Sequence, residues 1–203
     1  MDKRVCIIIN PNYLVDKWQY NCILKLKDYK LLFLVAKEVS NKKSVKNKRN
    51  YLKHFIYYCI NLVSMRQRKI KIKFHLFNNA SIKEIFYTIN PNAWQELTDN
   101  SIKDILSISP FFVYKCGMNL LTISNQLKSI PIISHHHGDP SNYRGRPAGF
   151  YELINGEKKM GQIIQLISNK LDAGKVLAYG DSPFMQSISR ENFAGEILDN
   201  LYL

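Results

Sequence analysis

Apolar residues along this chain fall into short runs between charged or polar breaks, and the spacing inside each run predicts its element. Residues 4–10, RVCIIIN, form an apolar run closed by Asn10 and Pro11, which predicts a first buried strand. YKLLFLVAKEV, at 29–39, predicts a second. Between them, LVDKWQYNCILKLKD sets Leu14, Trp18, Cys22 and Ile23 near helical spacing, so a strand, helix, strand unit is expected. Tyr51, Phe55, Tyr58, Cys59 and Leu62 share one helical face. KIKFHLFN, at 71–78, alternates charged and apolar side chains as an exposed or edge strand would, whereas SIKEIFYTI and LTDNSIKDILSIS read as a short helix pair. A strand FFVYKC then ends at Gly117, and a short run from Ile130 to Ile133 leads into three histidines. GFYELIN predicts a helix, GQIIQLISNKLDAGKVLAYGDSP two strands around a turn holding Asp172 and Gly174, and Ser189 opens a last helix with Glu191 and Asn192 in its first turn. Strands alternating with helices predict an α/β, Rossmann-like fold with a mostly parallel sheet flanked by helices.

Composition narrows the class. With 46% hydrophobic residues in 203, the chain can bury a real core, and a single domain over 1–203 is expected. The apolar runs LLFLVA and FIYYCINLVSM fall well short of the ~20 residues a spanning helix needs. The opening MDKRVCIIINPNY is cut by Pro11 before a secretory core can form, so a soluble, cytoplasmic protein is expected. Cys6, Cys22, Cys59 and Cys116 are scattered among apolar residues without CxxC pairing, which reads as buried free thiols. Charge is uneven: residues 1–80 hold 18 Lys and Arg against 4 Asp and Glu, and residues 81–203 hold 11 against 12. The cluster NKKSVKNKR at 41–49 suits a polyanion, an anionic surface or a diphosphate, and equally reads as a solvated lysine loop.

SHHHGDPSNYRGRPAG, at 134–149, holds three of the five histidines. In an extended segment His135 and His137 face one way and His136 the other, so the three cannot converge on one metal, and no acidic cluster completes a zinc set. No metal is expected. Proton transfer suits the stretch better: a histidine is the usual base near neutral pH, and a carboxylate held against it fixes its tautomer. The turn NKLDAGKVL offers Asp172 for that role, although an Asp before Ala-Gly also reads as a turn former.

These pieces together resemble the formyltetrahydrofolate-dependent formyltransferases, the family of methionyl-tRNA formyltransferase, glycinamide ribonucleotide formyltransferase and the sugar-nucleotide N-formyltransferases. The resemblance runs from Ser134 to about Leu203, and more loosely from Arg4, through SHH at 134–136, YRGRPAGFYELINGE at 143–157, GQIIQLISNKLDAGKVL at 161–177 and ISRENFAGEILDNL at 188–201. Counted back from Arg144-Gly145, the family's catalytic histidine falls on His136, and its aspartate on Asp172, 36 positions later. The family's Asn two before the histidine is Ser134 here, within a Ser-x-His-His-Gly-Asp string similar to that of a branch encoded among surface-polysaccharide genes. That Asn is understood to hold the formyl oxygen, so Ser134 with a water, His137 or a backbone amide would have to take its place.

The resemblance implies a formyltransferase fold and transfer of a formyl group from 10-formyltetrahydrofolate, as co-substrate, to a primary amine. It implies His136, Asp172 and Ser134 as catalytic residues. Cys116, Gly117, Leu171, Ala173 and Gly174 would lie against the folate, and His137, Asp139, Arg144 and Arg146 against the acceptor, Arg144 reading equally as a structural clamp. The expected acceptor is a small-molecule amine, an amino sugar on a nucleotide or lipid carrier. Met-tRNA comes second, because the C-terminal barrel domain that helps methionyl-tRNA formyltransferase hold tRNA is not expected here. A catalytically impaired relative that binds folate or a partner is the alternative from another class, motivated by Ser134. The oligomeric state is not legible.

Overall fold

The computed structural model describes residues 3–39, 69–78, 80–137, 142–143, 150–171 and 173–183. The helix expected over 51–62, the basic cluster at 41–49 and the helix expected from Ser189 lie outside the described residues. In chain order the elements are β1 (Arg4–Ile9), β2 (Leu14–Asp16), α1 (Lys17–Lys25), β3 (Lys30–Glu38), β4 (Lys69–Lys71), β5 (Ser81–Ile89), β6 (Gln95–Leu97), α2 (Asp99–Ile108), β7 (Phe112–Lys115), β8 (Leu121–Thr122), β9 (Ile132–His137), α3 (Phe150–Ile154), β10 (Lys159–Leu166) and β11 (Lys175–Pro183).

Val5 to Ile9 are fully buried, which is why β1 reads as an unbroken apolar run: it lies at the centre of a sheet covered on both faces. Val5, Ile7 and Ile9 point to one side, into a cluster with Phe33 of β3 and Tyr20 and Ile23 of α1. Cys6 and Ile8 point to the other, against Ile85, Val113, Ile132 and the α2 residues Ile102 and Ile105. The main sheet runs β11-β10-β9-β7-β1-β3-β5-β6-β8. Its middle, β9-β7-β1-β3-β5, is parallel throughout, and β10 and β11 extend the β9 edge as antiparallel strands. β2 and β4 form a separate antiparallel pair. The expected α/β class with a mostly parallel sheet is what the structure has.

Three local expectations are corrected. Residues 81–89 are not a helix but β5, parallel to β3 from Leu32 opposite Ser81 to Glu38 opposite Tyr87. Its β-branched and aromatic residues fit a pleated surface, and the β3 edge supplies the template. The alternation at 71–78 is not one strand: β4 ends at Lys71, and a 3-10 turn follows over Phe74–Leu76. Ile72 and Phe77 are buried, and the turn brings Phe74 and Phe77 together onto Phe33, at ring-centroid distances of 5.0 and 5.6 Å. The first helix is also shorter than its pattern, since Leu14 belongs to β2 and α1 begins after Asp16, whose N–H donates to the Gln19 side chain at 3.0 Å. Cys6, Cys22 and Cys116 are free thiols, and burial pushes Cys6 up to about 12, away from reactivity. Among the described residues no helix is long and apolar enough to cross a membrane.

Candidate active site

The chain passes from β1 outward to β3 and β5, then returns to β7 and β9 on the other side of β1. Such a reversal opens a crevice at the carboxyl ends of the strands, where ligands bind on open α/β sheets. There a cleft of about 160 Å³ is walled by Lys115 at the end of β7, Ser134 and His136 of β9, Gln165 of β10, and Leu171 and Gly174 of the following turn.

Ser134 and His136 share a strand face because they are two residues apart. Ser134 is 9% exposed, and its hydroxyl lies 3.5 Å from the Lys115 carbonyl and 3.3 Å from that of His135. Both contacts are long for an O–H···O hydrogen bond. Between Ser134 and His136, His135 packs its ring on Trp18, with centroids 4.2 Å apart, and one ring nitrogen meets Gln162 Oε1 at 2.9 Å. Burial, the largest cause, lowers the His135 pKa, and the neighbouring His136 adds to the lowering while the Gln162 hydrogen bond opposes it. His135 is therefore a packed imidazole held toward its neutral form, and both His135 and His136 line the cleft.

Lys115 was not singled out by sequence reasoning. Its ammonium donates to the carbonyls of Met118 at 3.2 Å and Asn119 at 2.9 Å. Met118 has φ +64, a left-handed backbone that a methionine rarely adopts, and such strain collects at sites that use it. Burial lowers the Lys115 pKa from 10.5 to about 8. The available signal was a lysine closing an otherwise apolar parallel strand, FFVYK, just where open α/β sheets bind ligands. Asn119 and Trp94 also line the cleft and were missed, being polar or aromatic loop residues without a motif.

The turn between β10 and β11 closes the cleft. Asn169 ties it to Ile123, and the Ser168 hydroxyl makes hydrogen bonds to the carbonyls of Lys170 and Ala173, both at 3.1 Å. Gly174 is required there, because a Cβ would lie 2.6 Å from the Leu166 carbonyl oxygen. A register shift between Ile164 and Gln165 re-aims β10 at the same level.

Of the residues expected at the site, Ser134, His136, Leu171 and Gly174 line the cleft, and Ala173 stands between the latter two as a carbonyl acceptor. Cys116 and Gly117 follow Lys115 but turn inward: both N–H groups donate to the Ile8 carbonyl, and a Cβ on Gly117 would sit 2.7 Å from the Ile9 carbonyl carbon. Burial pushes the Cys116 thiol up. His137 ends β9 opposite Gln162. Asp172, Asp139, Arg144 and Arg146 lie outside the described residues.

Solved structures share this arrangement of strands. The phosphoribosylglycinamide formyltransferase from Anaplasma phagocytophilum superposes with a TM-score of 0.54 at 15% identity, over 100% of this chain and 82% of that one. Glycinamide ribonucleotide transformylase 1 from Symbiobacterium toebii gives 0.55 at 11%, over 98% and 80%. The chain has a formyltransferase fold. The same fold occurs in a formyltetrahydrofolate deformylase from Pseudomonas putida KT2440, with a TM-score of 0.53 at 13% identity, where this chain spans 60% of the longer protein. No family model matches the sequence, and no curated protein matches it.

Proposed function

We propose that the protein transfers a formyl group from 10-formyltetrahydrofolate to a primary amine. The observation that carries this reading is His136, lining a cleft at the carboxyl ends of β7 and β9 together with Leu171 and Gly174, on a formyltransferase fold. In this reading His136 takes a proton from the attacking amine as its nitrogen bonds to the formyl carbon, and the carbonyl electron pair moves to oxygen. Collapse restores the carbonyl, breaks the bond to the folate nitrogen and returns a proton to it, leaving tetrahydrofolate and a formamide. Asp172 orients His136, and Ser134 holds the end of β9 against the end of β7.

The acceptor is an amino sugar on a nucleotide or lipid carrier. Two features support it: the Ser-x-His-His-Gly-Asp string, and Lys170 on the cleft, which suits a phosphate-bearing acceptor. Met-tRNA is the second acceptor to test. The impaired-relative reading keeps its motive in Ser134, and Ser134→Asn separates the two: it leaves a working serine-type enzyme unchanged or slower, and creates activity in an impaired one.

The test is release of tetrahydrofolate from 10-formyltetrahydrofolate with a panel of amino-sugar nucleotides and Met-tRNA, comparing wild type with His136→Ala and Asp172→Asn. Turnover by wild type that is lost in both variants is the expected result. Absence of folate binding overturns the reading, and release without any acceptor would make water the acceptor instead of an amine.

A further inference from the structure

We infer that Lys115 is a catalytic residue of this site, its ammonium donating to the formyl oxygen where the related enzymes use an asparagine amide. The inference rests on the formyl-transfer reading and goes beyond it.

Three observations carry it. First, β7 and β9 run parallel with Tyr114 opposite Ile133, so Lys115 follows in step with Ser134 and both reach the cleft. Second, Ser134, which stands where the resemblance puts the family's amide, is nearly buried and carries a single O–H donor on a short arm, with backbone carbonyls 3.3 and 3.5 Å from its hydroxyl. Third, the Lys115 ammonium is held in place by main-chain carbonyls. Two of its three N–H donors go to Met118 and Asn119, and among the described residues no carboxylate pairs with it. A half-buried ammonium with one donor to spare is costly in the resting protein and gains most from an oxygen that becomes negative. Its pKa of about 8 agrees with that cost and keeps it charged at neutral pH. The strained backbone at Met118 has a use in this arrangement, since its carbonyl is one of the two that fix the ammonium.

In the reaction, the electron pair that leaves the C=O bond collects on the oxygen beside the Lys115 ammonium and returns when the bond to the folate nitrogen breaks. Lys115 keeps its proton throughout, so atoms and charge balance without a further reactant.

The deciding experiment is isotope-edited infrared spectroscopy of 10-formyltetrahydrofolate carrying a 13C formyl group, bound to wild type, Lys115→Met and Lys115→Arg. A donor on the oxygen moves the carbonyl stretch to lower wavenumber; the expected result is a downshift in wild type that is lost in Lys115→Met and retained in Lys115→Arg. With the acceptor from the panel, kcat falls about a hundredfold in Lys115→Met. The wild-type rate falls above about pH 8 as Lys115 loses its charge, and Lys115→Arg lacks that limb because a guanidinium stays protonated. A carbonyl stretch equal in wild type and Lys115→Met overturns the inference and leaves formyl transfer standing. Wild type that binds no folate overturns formyl transfer, and the inference with it.

Discussion

Asn169 and Ile123 hold each other through a reciprocal pair of hydrogen bonds: the Ile123 N–H donates to Asn169 Oδ1 at 2.6 Å, and Asn169 Nδ2 donates to the Ile123 carbonyl at 2.8 Å. One side chain thus anchors the turn after β10 to the chain leaving β8, 46 residues away in sequence. Asn169→Ala is expected to cost about 1 kcal/mol of stability, because the pair is exposed and water replaces part of it. The functional loss exceeds the stability loss, since Leu171 and Gly174 on that turn wall the cleft. Equilibrium unfolding beside 10-formyltetrahydrofolate binding checks this; the prediction fails if affinity is unchanged.

Gly117 tests whether the Cys-Gly pair after β7 serves packing or a ligand. Its Cβ would stand 2.7 and 2.8 Å from main-chain atoms of Ile9 and Asn10, which belong to the end of β1 and cannot swing aside. Gly117→Ala is therefore expected to destabilise by about 1–3 kcal/mol. Gly180→Ala, where nothing lies within 4 Å, is expected to change stability by less than about 1 kcal/mol. Urea midpoints of the two variants decide the matter, and equal midpoints would refute the packing account.

The parallel core was legible because β1 and β3 are buried on both faces and so carry unbroken apolar runs that no amphipathic helix would show. β5 was not. Ile82, Ile85, Phe86 and Ile89 fall at i, i+3, i+4 and i+7, a helical spacing, yet only Ile85 is buried and Ile82, Phe86 and Ile89 are 41–49% exposed. Pairing with β3, a contact distant in sequence, decided the element. At the site, alternation along SHHH puts Ser134 and His136 on one strand face and the His135 ring against Trp18, yet both His135 and His136 line the cleft. Lys115 stayed hidden for a different reason: its role depends on β7 lying beside β9, and strand order cannot be read from a lysine at the end of an apolar run.

His135 makes stability depend on pH. It packs on Trp18, bonds Gln162 and adjoins His136, and burial holds its pKa below the usual 6.5. The unfolded chain therefore binds a proton more readily than the folded one below that value. Stability is fully present above about pH 6.5 and is lost as pH falls below it. His135→Phe keeps a ring against Trp18 but cannot titrate. Unfolding free energies measured between pH 5 and 8 are expected to fall more steeply toward pH 5 in wild type than in the variant, and parallel curves would refute the assignment.

Lys115 separates stability from function. Below about pH 8 it is charged in both folded and unfolded states, and the folded protein bears the cost of burying the charge. A shift from 10.5 to about 8 corresponds to a cost on the order of 1–3 kcal/mol. Lys115→Met keeps the length of the side chain and removes the charge. Of the two carbonyls it releases, that of Asn119 lies in an exposed hydrogen bond that water can replace, and that of Met118 in a part-buried one whose loss offsets part of the gain. The variant is expected to be more stable than wild type at pH 7 by that order of magnitude. The difference shrinks as pH rises from about 8 to 10.5, because over that range the folded wild type has shed the proton that its unfolded chain retains, and wild-type stability rises. A lysine kept for packing alone would give the opposite sign, with Lys115→Met less stable at every pH. A gain in stability accompanied by a loss of turnover is the pattern of a charge held at an energetic cost for the reaction, and thermal unfolding of both proteins at pH 7 and pH 10 distinguishes the two.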